Sequence, residues 1–305
     1  MRSVVLLLML WGMNFLYSCG NQSDTDTMKD TPSRGTIYVS VDESFRPVIE
    51  QQIKMYEASF PGTKIIASYK SEADCFRDLA KDSTRMILVS RGLKPQEQEF
   101  FEEKLSYKPF FGVLAYDAVV LLQNQKRADS TFSMERLKQL LSGEEKTTVV
   151  MDGKNATSTV RFLQDSILKG AAFGSNVASG KSSKEVLDLV SSNEQIMGFV
   201  GFGWIGDVYD KEQTDYLKKI RMTLLQCTVC DDTSLYAMPS QQSITYLYYP
   251  LARPLYYILK ENAAGLGTGF MNFMSLERGQ LIFRRANLAP AKMNLNKRSG
   301  KINED

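Results

Sequence analysis

The stretch Thr36-Ile37-Tyr38-Val39-Ser40-Val41-Asp42-Glu43-Ser44-Phe45-Arg46-Pro47-Val48-Ile49 decides the fold, because the chain passes from strand-like to helix-like pattern within it. Thr36 to Val41 is dominated by β-branched and aromatic residues and reads as a strand. Ser44 then reads as the N-cap of a helix whose first turn tolerates Pro47. Val48, Ile49, Gln52, Ile53, Tyr56 and Phe60 keep helical spacing until Pro61-Gly62 stops it. The same grammar recurs downstream. Lys64 to Ser68 reads as a strand, Glu72 to Lys81 as a helix with Cys75 on its apolar side, Met86 to Val89 as a strand ending at Ser90-Arg91, and Lys94 to Lys104 as a helix. Repeated strand-helix-strand units predict an α/β body with a mostly parallel sheet, whose ligands gather at the carboxyl ends of strands.

The run Tyr107 to Leu122 reads as extended chain crossing into a second lobe. There the α/β pattern repeats, with helix Met134 to Leu141, strand Thr147 to Met151, helix Thr157 to Leu168, helix Lys184 to Ser191 and strand Ile196 to Val200. Tyr246 to Tyr249 and Leu255 to Leu259 read as strands leading into the glycine-rich start of a helix at Gly265, and this part is expected to return to the first lobe. The expected division is a first lobe of residues 35–112 plus 238–292, a second of 113–237 and a polar tail at 293–305. Two lobes with more than one crossing form a hinge, and the space between them is a natural ligand cleft.

Ahead of the body, an apolar segment from Val4 to Met13 precedes Leu16-Tyr17-Ser18-Cys19, which resembles a bacterial lipobox. The expectation is a signal peptide over 1–18, lipid on Cys19, and a flexible tether over 19–34 whose Gly, Asn, Gln, Ser, Asp and Thr cannot build a core. That places the protein in the cell envelope, as a periplasmic or outer-membrane lipoprotein touching the membrane through Cys19. After this segment no run reaches the roughly eighteen apolar residues that a spanning helix needs. With 37 basic and 35 acidic residues the formal charge is +2, so no general field marks nucleic acid as a partner.

The chain has no histidine, which removes the usual general base of hydrolases and the commonest metal ligand; neither a metal nor a cofactor is expected. Of four cysteines, Cys227 and Cys230 form a C-x-x-C pair, readable as a redox dithiol, a local disulfide or idle thiols. Asp231-Asp232 beside it disfavours a thiolate. Gly180-Lys181-Ser182 lacks the correctly spaced upstream glycine and a preceding strand of a phosphate-binding loop, and Gly265, Gly267 and Gly269 lack the last interval of a dinucleotide fingerprint. Asn155-Ala156-Thr157 matches a glycosylation sequon, a poor default if the lipobox marks a bacterium.

The hydroxyls of Thr157-Ser158-Thr159, between a strand and a helix, stand where an oxyanion binds, because helix N-termini present free N–H groups and a positive dipole end. Ser44-Phe45 and Ser90-Arg91 begin elements of the other lobe, so three element ends can grip one tetrahedral anion. Ordinary N-caps would look the same. Together with Gln195-Ile196-Met197-Gly198-Phe199-Val200-Gly201, Pro250-Leu251-Ala252-Arg253 and Gly267-Thr268-Gly269-Phe270, these segments resemble, over about Gly35 to Pro290, the phosphate-binding components of bacterial ABC importers and their lipoprotein relatives in Bacteroidetes-type bacteria.

The resemblance implies a two-lobed type 2 periplasmic-binding-protein fold that captures phosphate or a related oxyanion and passes it to a membrane permease, non-enzymatic and monomeric. It assigns ligand contacts to Ser44, Phe45, Ser90, Thr157, Ser158 and Thr159. Arg91 stands where the family places an aspartate that reads the proton of bound phosphate; an arginine there favours a fully ionised anion. The family's arginine ahead of its Ser-Gly-Thr is absent, and Arg91 or Arg161 is expected to supply the charge. Ser71-Glu72-Ala73 replaces a glycine-rich ligand loop, placing Glu72 near the cleft, where a carboxylate would repel an anion unless paired with Arg91, a pair that could equally be structural. Competing readings are a same-fold binding or sensor protein for an organic ligand or protein partner, and a thiol oxidoreductase using Cys227 and Cys230.

Overall fold

The computed structural model describes residues 30–153 and 157–293. The signal segment, Cys19, the tether as far as residue 29, Lys154-Asn155-Ala156 of the sequon region and the tail after residue 293 lie outside the described residues. The last part of the expected tether is part of the body. Asp30 pairs with Arg85 and accepts the Leu266 N–H at 3.1 Å, and Tyr56 donates its hydroxyl to Pro32 O.

The first unit runs β1 (Gly35–Asp42), a 3-10 turn (Glu43–Phe45), α1 (Arg46–Ser59), β2 (Thr63–Lys70), α2 (Glu72–Leu79), β3 (Met86–Val89) and α3 (Pro95–Leu105). The long β4 (Phe110–Asn124) leads into β5 (Thr131–Phe132), α4 (Met134–Ser142), β6 (Thr148–Asp152), α5 (Ser158–Ser166), β7 (Val177–Gly180), α6 (Ser183–Ser192) and β8 (Ile196–Gly201). The chain continues through α7 (Lys211–Leu217), β9 (Ile220–Met222), β10 (Leu224–Gln226), β11 (Tyr236–Ala237) and α8 (Gln241–Thr245). It closes with β12 (Ala252–Leu259), α9 (Leu266–Ser275), α10 (Glu277–Arg285) and β13 (Ala289–Pro290).

The main sheet has the order β2-β1-β3-β12-β4-β8-β6-β7. β1 pairs in parallel with β2 and β3, while β12 inserts antiparallel between β3 and β4. β4 serves both lobes. Its first half, Phe110 to Ala118, pairs with β12, and its second half, Val119 to Gln123, pairs with β8. Beyond β8 lie β6 and β7 in parallel.

Alternation along β3 divides the first lobe into two layers. Met86 and Leu88 join the core under α1, α9 and α10, while Ile87 and Val89 face Cys75 and Leu79 of α2 and Phe101 of α3. A separate core surrounds the second half of β4, with Leu137, Leu140, Leu163, Val186, Leu187 and Phe199. Ile244, Tyr249 and Leu251 belong to that second core, so the return to the first core falls at β12.

Three local expectations differ from the fold. Tyr246 to Tyr249 is not a strand: Ser240 and Ser243 cap one another's backbone and start α8, and Leu247 leaves it with φ of 60°. A strand, β7, does precede Gly180-Lys181-Ser182, although the glycine pattern is still wrong for a phosphate loop. Ser44 does not cap α1. Asp42, two residues earlier, accepts the Ser44 N–H at 3.0 Å and caps the 3-10 turn, and α1 starts after Phe45 with no side-chain cap. Cys227 and Cys230 form a disulfide, and Cys75 is buried, its thiol pushed up by burial first and then by the Asp42 charge.

Gly201, ending β8, packs closely against Ser44 and Arg253. A Cβ there would lie 2.9 Å from both Ser44 O and Arg253 Nη2. Gly201→Ala should therefore cost about 1–3 kcal/mol of stability by overpacking, read as a lower urea midpoint with unchanged slope. An unchanged midpoint would mean that β8 and Ser44 are not apposed in solution.

Candidate functional site

The cleft is built from the ends of β1, β3, β6 and β8 and the start of α5. Thr157 caps α5, accepting from Val160 N–H at 3.3 Å and donating to Asp152 O at 3.0 Å. Gly153, following β6, has φ of 81° and no room for a Cβ against Thr157 Cγ2. The cap leaves the Ser158 N–H and the hydroxyls of Ser158 and Thr159 facing the first lobe, all three residues being buried.

One carboxylate collects the donors of Ser158 together with those of Ser44. Asp42 Oδ1 accepts from Ser44 N at 3.0 Å, from the Ser44 hydroxyl, and from Ser158 Oγ at 2.9 Å. Its Oδ2 accepts from Ser158 N at 3.1 Å. Arg253, from β12, stands behind the cluster and donates from Nη1 to Ser158 Oγ at 3.0 Å and, more weakly, to Thr159 Oγ1 at 3.4 Å. Its Nε and Nη2 clasp Asp117 Oδ2 at 3.1 and 2.9 Å, with both side chains sealed from water. Phe45 lies under the guanidinium, 5.0 Å from ring centre to Cζ.

Two further contacts bridge the lobes. Glu43 accepts from Ser183 Oγ at 2.7 Å, and that hydroxyl also lies 3.0 Å from Asp152 Oδ2. Glu72 accepts from Ser90 N and Ser90 Oγ, each at 2.9 Å, and from Arg161 Nε at 2.5 Å; Arg161 Nη2 also donates to Ser90 Oγ at 2.7 Å. The partner of Glu72 is thus Arg161 of the opposite lobe, not Arg91.

Arg91 makes none of these contacts. It forks onto Glu97 at 2.7 and 2.8 Å, donates to Gly92 O and stacks 3.7 Å over Phe76. The turn after β3 places it within reach of the first turn of α3, where Glu97 also accepts the Lys94 N–H. Of the nine ligand residues expected from sequence, Ser44, Phe45, Glu72, Ser90, Thr157, Ser158, Thr159 and Arg161 border this buried network, and Arg91 does not.

Sequence reasoning missed Asp42, Glu43, Asp117, Asp152, Ser183 and Arg253 as members of the network. A signal existed for Asp117, a lone charge inside the apolar run Tyr107 to Leu122, and for Asp42, an acidic residue at a strand end two positions before a buried serine.

Burial raises the carboxyls of Asp42 and Glu43 above their usual range; for Asp42 the Glu72 charge adds to it, while Arg253 and the Ser44 and Ser158 donors oppose it. Asp152 is pushed to about 7 by burial, then by the charges of Glu43 and Asp42, against the pull of Arg253 and the Ser183 hydroxyl. Burial would raise Glu72 too, but the Arg161 and Ser90 donors hold it below the usual range.

A carboxyl whose folded-state pKa is raised makes the folded protein bind more protons than the unfolded chain. Its contribution is then fully present below the unfolded value and lost as pH rises through the folded one. For Asp152 that window runs from the ordinary 3.8 to about 7. Melting temperature should fall on going from about pH 5 to about pH 8, and Asp152→Asn should remove a large part of that fall in thermal scans. Parallel pH profiles for the two proteins would show that Asp152 does not titrate in this window.

The chain matches the family model of the PBP superfamily domain over residues 26–277. The phosphate-binding protein PstS of Borreliella burgdorferi is 22% identical over 298 residues, covering 92% of this chain and 95% of the relative. That of Staphylococcus haemolyticus is 22% identical over 234 residues, covering 71% and 68%. Among solved structures, a putative phosphate ABC transporter substrate-binding protein with bound phosphate from Clostridium perfringens superposes with a TM-score of 0.69 at 18% identity, over 85% of this chain and all of that one. An ABC-type phosphate transport receptor from Vibrio cholerae gives 0.61 at 18% identity, over 83% and 99%. The fold shared with these structures is the two-lobed periplasmic-binding-protein fold. Two cores joined through β4 and β12, with buried polar groups meeting between them, agree with the family match over most of the sequence: the chain belongs to the PBP superfamily.

Proposed function

We propose that this protein is the extracytoplasmic solute-binding component of an ABC importer and takes phosphate, or a related tetrahedral oxyanion, between its lobes. One observation carries the reading. The Ser44 and Ser158 N–H groups and hydroxyls, drawn from opposite lobes and backed by Arg253, converge on a pair of carboxylate oxygens, and so form a donor set that holds an anion. Donors at a helix start suit phosphate as they suit a carboxylate. The names of the relatives support the choice of phosphate. Arg253 takes the role of the charge that the chain lacks ahead of Thr157-Ser158-Thr159.

A second reading, an organic ligand for a same-fold binding or sensor protein, is favoured by a neighbouring cavity of about 360 Å³ that also spans the lobes. It is lined by Arg46, Gln51, Lys184, Trp204, Gln213 and Tyr216 among others, and the buried indole N–H of Trp204 has no hydrogen-bond partner among the described residues. This cavity lies beside the Asp42 cluster rather than within it.

Calorimetric titration with phosphate and then sulfate, in buffer free of both, tests the phosphate reading. Phosphate should bind more tightly than sulfate, and Ser158→Ala should weaken phosphate by about tenfold or more, since hydrogen bonds to charged groups are worth about 1.5–3 kcal/mol. Equal affinity of the wild type and Ser158→Ala would remove the Ser158 hydroxyl from the site.

Lipid on Cys19 would place the body at a membrane surface. Cells fed labelled palmitate should then transfer label to the protein, and Cys19→Ala should abolish the label and release the protein from the membrane fraction. Undiminished membrane association in Cys19→Ala would overturn the anchor.

A further inference from the structure

The hydroxyls expected to hold a solute already donate to the protein's own carboxyls. Ser44 and Ser158 donate to Asp42, Ser90 to Glu72, and Thr157 and Thr159 approach Asp152 Oδ atoms at 3.2 Å. Asp42 is the central case. Its side chain is fully buried, and it accepts two backbone N–H groups and two hydroxyls, one of each from either lobe. A captured anion would use the same four donors and join the lobes in the same way.

From this geometry we infer that Asp42 is a built-in surrogate ligand, which occupies the oxyanion donors, holds the lobes together without solute, and must be displaced before a free oxyanion can bind. The inference rests on the proposed reading that these donors are the solute site.

Charge points the same way. Asp42, Glu43, Glu72, Asp117 and Asp152 share the network with the guanidiniums of Arg161 and Arg253. A divalent anion entering beside an ionised Asp42 would bring like charges into contact in a site sealed from water, where repulsion is least screened. Two hydrogen-bond acceptors also cannot share one N–H without weakening both bonds. Displacement is the way out, with Asp42 turning from its donors as the lobes part. Asp42 is then specificity-determining: an anion must match these donors better than a tethered carboxylate does. The observed affinity falls by the fraction of molecules in which Asp42 has left its donors.

The test compares the full chain as wild type, Asp42→Ala and Asp42→Asn. Asparagine keeps the shape but cannot accept at both terminal atoms, and it serves if the alanine variant folds poorly. Phosphate is titrated calorimetrically in phosphate-free buffer, and the ligand-free proteins are compared by small-angle scattering. Asp42→Ala should bind phosphate at least about tenfold more tightly than wild type. Its ligand-free radius of gyration should be larger, returning toward the wild-type value with phosphate. Weaker or equal phosphate binding in both variants, where the wild type does bind, overturns the inference and leaves the phosphate reading in place. If no form binds phosphate, that reading fails, and scattering alone decides: an expanded ligand-free variant upholds Asp42 as the latch, and an unchanged radius overturns it.

Discussion

A single carboxylate, that of Asp42, is gripped from both lobes, and the closed arrangement is organised around it. In water such a cluster of N–H and hydroxyl donors would be hydrated and would cost nothing to leave unpaired. Between two packed cores each donor must find an acceptor or lose a hydrogen bond's worth of solvation. Asp42 meets that demand for Ser44 and Ser158 at once, because a carboxylate offers two oxygens and about four acceptor sites. Asp152 does the same for Thr157, Thr159 and Ser183, and Glu72 for Ser90 and Arg161.

The cluster keeps its position because the backbone beneath it is stiff. β4 belongs to both cores, and Asp117, at the middle of it, is locked to Arg253 of the adjacent strand. Breaking a buried pair of this kind leaves one charge without a partner, at a cost of about 3–5 kcal/mol. The strand cannot easily slide, and the guanidinium stays aimed at Ser158. Gly201 then lets β8 come against Ser44 without a side chain in the way. The cleft therefore has rigid walls and lobes joined through few crossings, as hinge closure requires.

The alternating elements were legible in the sequence because each carries enough residues to show a period. α1, β3, α3, α4 and α6 lie within a residue or two of where their spacing puts them. β5, β11 and β13 were not, since two residues show no periodicity and exist only through the strand beside them. Tyr246 to Tyr249 has strand-forming residues and still turns, because the Ser240 cap upstream commits the chain to a helix first. The hydroxyls at Ser44, Ser90, Thr157, Ser158 and Thr159 could be found from their positions at element ends. Which carboxylate each hydroxyl meets could not.

The sequence by itself determined the α/β class, the crossing strand, the helix stop at Pro61-Gly62 and the placement of hydroxyls at element ends, all of which follow from short-range backbone preferences and burial periodicity. Which charges face the cleft was decided only by tertiary structure. Arg91 and Arg161 have the same chemistry, yet one is drawn to Glu97 six residues away while the other reaches Glu72 across the lobes. Asp42, Asp117, Asp152 and Arg253 are scattered over more than 200 positions and are brought to one cluster by strands of a single sheet, of which only those carrying Asp117 and Arg253 are adjacent. Electrostatic partnership depends on distance and on exclusion of water, and neither exists until the two cores have packed.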